Sequence, residues 1–220
     1  MVELITGLRA EVVRKNLERV RTQIAEAGRD PESVQVLAAV KYVPLKELGV
    51  LADAGLTLLG ENRAQDLVAK AEAYPGVFTW DFIGNLQSRK VRQVLPHVRY
   101  IETVASDSAL GQLGRHGTPA TEILVEVNVA GEEGKSGIAP EELPAFLERS
   151  PVRVVGLMTM PPLAGDPEAS RPCFAALREL AAAHKLPHLS MGTSQDYVVA
   201  VQEGATIVRL GTGLYRSEAS

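Results

Sequence analysis

From about residue 8 to 27, Leu8, Val12, Val13, Leu17, Val20 and Ile24 fall on one stripe with arginine and glutamate between them, and Gly28 follows. This spacing predicts an amphipathic opening helix with a glycine at its C-terminal end. Asp30-Pro31 then turns the chain into Val36-Leu37-Ala38-Ala39-Val40, an apolar run that ends in Lys41-Tyr42-Val43-Pro44. A run this apolar predicts a strand buried on both faces, as in parallel sheets covered by helices. Pro44 suits the first turn of a helix running through Leu45, Leu48 and Leu51 to Gly55.

The strand-helix unit keeps returning. Strands are predicted at 57–62, 79–84, 100–104, 122–129, 152–158, 188–192 and 206–210. Helices are predicted at 63–73, after Gly84 and ending by Pro96, from Ser106 or Asp107, from Pro140, around Phe174 to Leu180, and from about Asp196 to Glu203. Eight strands alternating with helices through short connections predict right-handed parallel crossovers. The expected fold is α/β, a (β/α)₈ TIM barrel with an extra N-terminal helix, spanning residues 1–220 as one domain. An open doubly wound sheet would place a glycine-rich phosphate turn after its first strand, where this chain has Tyr42-Val43-Pro44.

Composition narrows the partners. The chain has 220 residues, 45% hydrophobic and 23% charged, with a formal net charge of −4. No lysine and arginine cluster with interleaved aromatics appears, so nucleic acid is not an expected partner. Cys173 is the single cysteine, which excludes an internal disulfide and a cysteine-built zinc site. No basic leader or long uncharged apolar run is found, so a soluble cytoplasmic protein without membrane association is expected.

In such a barrel the chemistry lies at the C-terminal ends of the strands. Those ends deliver Lys41, then Glu61-Asn62-Arg63, Gly84-Asn85, Glu126 and Asn128, Met158-Thr159, Ser190 with Thr193-Ser194, and Arg209 before Gly211-Thr212-Gly213. A lysine ending an apolar strand either surfaces or is desolvated, and desolvation favours the neutral amine, a nucleophile toward carbonyls. The Gly-Thr-Gly turn offers free amides and close backbone approach for a phosphate, beside the strand-seven hydroxyls of Thr193 and Ser194. Arg209, a guanidinium within an apolar strand, needs a planar acceptor or an anion. An imine-forming lysine, a phosphate cradle and a placed arginine together suggest pyridoxal 5′-phosphate (PLP) held as a Schiff base. An arginine donating to the pyridine nitrogen would keep the ring a poor electron sink.

Ala39-Val40-Lys41, Gly60-Glu61-Asn62, Phe82 to Lys90, Val127-Asn128 with Glu132 to Gly137, Gly156-Leu157-Met158, Leu189 to Gly192 and Val208 to Thr212 together resemble the pyridoxal phosphate homeostasis protein family. These blocks run in order from about residue 8 to 215. The resemblance implies the barrel of the alanine racemase N-terminal domain, with Lys41 as the Schiff-base lysine. It further implies Arg209 facing the pyridine nitrogen, Ser194, Gly211 and Thr212 on the phosphate, and Asn62 beside the ring. The implied role is storage, delivery or sequestration of PLP without catalytic turnover, with PLP-dependent apoenzymes as partners; a monomer is expected.

Asp81 stands where histidine is common in that pattern, Arg89 where asparagine is, Thr193 where methionine is, and Leu214-Tyr215-Arg216 where an aromatic-glycine pair is usual. An amino-acid racemase-like enzyme is the alternative function. It would need a second base from an added domain, for which 220 residues leave no room. A class I aldolase-like enzyme would use the lysine without PLP. His97, His116, His184 and His188 lack partners at metal-ligand spacing and are read as structural, as is Cys173, expected buried and inert. The Glu132 to Gly137 loop is read as solvated, with a lid over the cofactor as a hypothesis.

Overall fold

The computed structural model describes residues 4–216. Eight parallel strands, β1 (Gln35–Ala39), β2 (Leu58–Glu61), β3 (Thr79–Phe82), β4 (Tyr100–Val104), β5 (Glu122–Glu126), β6 (Arg153–Met158), β7 (His188–Thr193) and β8 (Ile207–Leu210), pair in sequence order. The last strand returns to the first, with Val208 beside Val36 and Arg209 beside Leu37, so the sheet closes and has no free edge. Around it lie α1 (Ala10–Glu26), α2 (Leu48–Asp53), α3 (Ala64–Ala73), α4 (Val91–Val94), α5 (Asp107–His116), α6 (Leu143–Arg149), α7 (Arg171–Ala183), α8 (Tyr197–Gln202) and α9 (Thr212–Tyr215). This is the expected (β/α)₈ TIM barrel with its extra N-terminal helix.

The extra helix has a structural reason. The helix that follows β8 is the single turn α9, too short to cover a barrel side. Helix α1 packs against α9, α2 and α8 and so fills the eighth place in the outer ring. Its stripe of Val13, Leu17, Val20 and Ile24 is buried there, and Asn16 Nδ2 donates to the carbonyls of Leu214 (3.1 Å) and Arg216 (2.9 Å).

Two strands end earlier than the apolar pattern predicts. Val40 N still donates to Gly60 O, but Val43 N turns back onto Val40 O at 3.0 Å, so Lys41 and Tyr42 lie in a turn beyond β1. Beyond Glu126, Val127 N still donates to Met158 O of β6, but Asn128 N donates to Ile138 O and Ile138 N to Glu126 O, each at 2.9 Å, so a returning loop takes up the pairing where β5 ends. Pro96 lies within a 3₁₀ turn, Leu95–His97, that continues α4.

Most of the core lies between strands and helices, while a smaller cluster of Leu37, Leu124, Val155, Met158 and Ile207 with Tyr100 fills the barrel interior. Gly60 makes room for it, because a Cβ there would lie 2.3 Å from Leu37 Cδ2. Asp81, Glu102, Ser190 and Arg209 are buried polar residues of the same barrel. Among the described residues no helix is long and apolar enough to cross a membrane. Ile24 is fully buried under α1. Ile24→Ala is expected to cost about 2–5 kcal/mol in a urea unfolding series, whereas a loss below about 1 kcal/mol would show that α1 is not part of the ring.

Candidate functional site

The mouth of the barrel is built around the backbone that carries Lys41. Tyr215 Oη donates to Ala39 O at 3.1 Å, Lys70 Nζ to Val40 O at 2.8 Å, and Ile5 N to Tyr42 O at 2.8 Å. The main chain is thus pinned on both sides of Lys41 while the side chain stays exposed, its Nζ 4.9 Å from the centre of the Tyr42 ring. Of the two readings open to a lysine that ends an apolar strand, the structure has Lys41 at the surface. The strand ends at Ala39, and the turn carries Lys41 over the rim into solvent-accessible space.

The lysine that is buried is Lys70, and it is ion-paired. Its Nζ lies 2.5 Å from Glu61 Oε2, and Glu61 Oε1 accepts from the amides of Asn62 (2.7 Å) and Arg63 (3.3 Å) where α3 begins. One buried pair therefore fixes the backbone before Lys41 and the placement of Asn62 together. Asn62 Oδ1 is buried without a hydrogen-bond partner. An orphaned acceptor at this depth is costly unless a ligand donor answers it.

Arg209 is buried at the end of β8. Its Nη1 donates to Ser190 Oγ at 2.6 Å, and its Nη2 to Thr159 O at 2.8 Å and Met160 Sδ at 3.1 Å. Burial lowers its pKa, with Glu102, Glu126 and Asp196 opposing at longer range, and each of these three hydrogen bonds goes to a neutral acceptor. The expected planar acceptor or anion is not supplied by these contacts, which leaves the guanidinium available toward the mouth.

Beside it, Gly211 N donates to Ser194 Oγ at 3.2 Å, and Asp196 accepts from Thr193 N and Oγ1 and from Ser170 Oγ, tying down the loop that carries Ser194. Gly211 has a φ of −113°, so backbone handedness does not call for glycine. A Cβ there would meet only Ala39 Cβ, at 4.0 Å, and would project into open space. The glycine therefore keeps a cradle clear.

Lys41, Asn62, Ser194, Arg209, Gly211 and Thr212 all line one cavity of about 380 Å³, together with Tyr42, Ile83, Met160, Leu163, Thr193 and Gln195 among others. That volume falls in the range of about 300–1,000 Å³ usual for small-molecule sites. Among its described lining residues there is no carboxylate and no histidine. Glu126, Asn128 and the Glu132 to Gly137 loop are not among its walls; Asn128 instead holds Glu132 through paired hydrogen bonds. His188 starts β7 at the opposite end, its Nε2 3.4 Å from Tyr100 Oη, and burial lowers its pKa. Cys173 is half-buried rather than buried, and desolvation raises its thiol pKa.

Sequence reasoning missed Tyr42 and Met160 as cavity walls and Lys70 and Glu102 as buried partners. For Glu102 a signal was present: an acid in the middle of Tyr100-Ile101-Glu102-Thr103-Val104, the same anomaly that drew attention to Arg209.

The alanine racemase N-terminal domain family matches residues 9–219. The chain is 39% identical over 219 residues to the pyridoxal phosphate homeostasis protein of Aquifex aeolicus, covering 93% of this chain and 96% of that one. It is 38% identical over 216 residues to the pyridoxal phosphate homeostasis protein of Pseudomonas aeruginosa, covering 94% of each. The structure of Synechococcus elongatus PipY with PLP bound aligns with a TM-score of 0.80 at 30% identity, covering 93% of this chain and 100% of that one.

Removing one partner of the buried pair beneath this site isolates a charge. Lys70→Met is expected to destabilise the protein by about 3–5 kcal/mol in chemical denaturation, because it strands the Glu61 carboxylate. A loss under about 1 kcal/mol would mean that the pair is solvated.

Proposed function

Because the chain belongs to the pyridoxal phosphate homeostasis protein family, we propose that it binds PLP in the barrel mouth through Lys41 and keeps it available to the cell without turning it over. The observation that carries this reading is the cavity at the C-terminal ends of the strands. It collects a lysine amine, an arginine without a carboxylate partner and a clear glycine cradle. The fit is supported by one further feature, the orphaned Asn62 Oδ1.

PLP supplies an electrophilic aldehyde that a lysine amine takes up as a Schiff base with loss of water. Lys41 is the tether, its main chain held by Tyr215, Lys70 and Ile5 so that the exposed amine has a fixed origin. Ser194, Gly211 and Thr212 would hold the phosphate, with Arg209 toward the ring nitrogen and Asn62 beside the ring. An arginine at that nitrogen keeps it unprotonated and withholds the electron sink that carbanion chemistry requires. A racemase-type cycle also needs a second base opposite the lysine; besides Lys41 and Arg209 the titratable side chain in the described walls is Tyr42, the residue next to Lys41 with its ring 4.9 Å from Nζ. The exposed amine at an open mouth suits storage and hand-over of PLP to apoenzymes.

Titration with PLP is expected to give a new visible absorbance band in the native protein. Lys41→Ala should lose that band and bind at least about tenfold more weakly, equivalent to about 1.4 kcal/mol. A native protein without the band, or a mutant that keeps it, would contradict the assignment.

A further inference from the structure

Below the cavity, polar side chains form a connected column down the barrel. Arg209 Nη1 donates to Ser190 Oγ at 2.6 Å, and Ser190 Oγ donates to Glu102 Oε2 at 2.6 Å. Glu102 is fully buried, and its other oxygen, Oε1, makes no hydrogen bond of normal geometry. Its neighbour on β3 is Asp81, also fully buried, which is bound by Arg99 from below: Nε to Oδ1 at 3.1 Å and Nη2 to Oδ2 at 2.5 Å. The charged groups that face Glu102 are thus Asp81 from β3 and Arg209 from β8, with the Ser190 hydroxyl from β7 and Arg99 behind Asp81.

Of the two carboxyls, Asp81 has an arginine against it and Glu102 has only a serine hydroxyl. Both are pushed upward by burial, but Arg99 opposes this at Asp81. Desolvation first and repulsion from Asp81 second raise Glu102 to about 8, against the weaker pull of Arg209 and Ser190. Burial and repulsion from Asp81 thus favour the proton on Glu102, the carboxyl without an arginine against it. Its Oε2 is occupied as an acceptor from Ser190, which places the acid proton on the otherwise orphaned Oε1, facing Asp81.

We propose that Glu102 is a positioning residue for the cavity, setting through Ser190 how much of Arg209's positive charge is presented to a bound ligand. A neutral Glu102 accepts from Ser190 without neutralising the guanidinium two hydrogen bonds away. An ionised Glu102 places a carboxylate one hydroxyl from Arg209 in a low-dielectric interior, where the charge that reaches the mouth is diminished. The inference rests on the reading of the cavity as a PLP site, with Arg209 toward the ring nitrogen of an anionic ligand.

Glu102→Gln is the discriminating variant, because the amide copies the neutral acid: its oxygen accepts from Ser190 and its N–H faces Asp81. In the ligand-free protein, a carboxyl held above its usual pKa contributes stability that is fully present below about pH 4.5 and is lost as pH rises through about 8. The melting temperature of Glu102→Gln relative to native should therefore climb across that window and level off above it. For PLP, the ratio of native to Glu102→Gln dissociation constants cancels titrations that the two proteins share. It should lie near one at pH 6.5 and rise several-fold by pH 9. In an Arg209→Gln background the ratio should stay flat while the stability difference remains, because the charge that Glu102 modulates is gone and the titrating acid is kept. A flat ratio with intact native binding, or a flat stability difference, would overturn this inference alone. Failure of PLP to bind the native protein would overturn the PLP reading and this inference with it.

Discussion

A guanidinium buried near the end of a barrel strand must be solvated by the protein, and among the described residues Arg209 donates to a hydroxyl, a carbonyl and a thioether. Each is a neutral acceptor, so the fold tolerates the buried charge without cancelling it. Much of the interior is arranged around that condition. The carboxyls that could have paired with it are placed one hydroxyl away, at Glu102, or given to another arginine, as at Asp81. The outcome is a mouth with positive character at the bottom and a glycine cradle at its side.

The lysine side of the cavity follows the opposite design. Lys41 itself is exposed, and rigidity is supplied to its main chain by three separate elements: α9 through Tyr215, α3 through Lys70, and the N-terminal segment through Ile5. Closing the barrel makes this possible, since pairing of β8 with β1 brings Gly211 and Thr212 beside the turn that carries Lys41. Helix α1 matters to the site for the same reason. By filling the place that the one-turn α9 leaves, it holds Leu214 and Arg216 through Asn16 and thereby keeps Tyr215 in reach of Ala39.

Much of this was legible in the amino-acid order. The eight apolar runs gave the barrel, because strands covered on both sides by ring or interior carry few polar residues. Lys41 and Arg209 stood out as charges in such runs, and the strand-end rule brought Asn62, Ser194, Gly211 and Thr212 to the same mouth. What the residues could not reveal depends on contacts between distant segments. The end of β1 at Ala39 follows from a turn hydrogen bond, so Lys41 surfaces where the apolar pattern predicted a strand residue. Lys70 reads as an ordinary helix-surface lysine until α3 lays it against Glu61 and Val40. Glu102 and Asp81 carried the same signal as Arg209, an ionisable group in an apolar run, but their pairing with Ser190 and Arg99 exists only once distant strands come together.

The central claim is that one amine, that of Lys41, holds the cofactor. Borohydride reduction of the PLP-loaded protein followed by peptide mass mapping tests it most directly, since reduction fixes the linkage where it stands. The account predicts a single phosphopyridoxyl adduct on the peptide containing Lys41. An adduct on Lys46, Lys70 or Lys135 in its place, or no adduct at all, would contradict it.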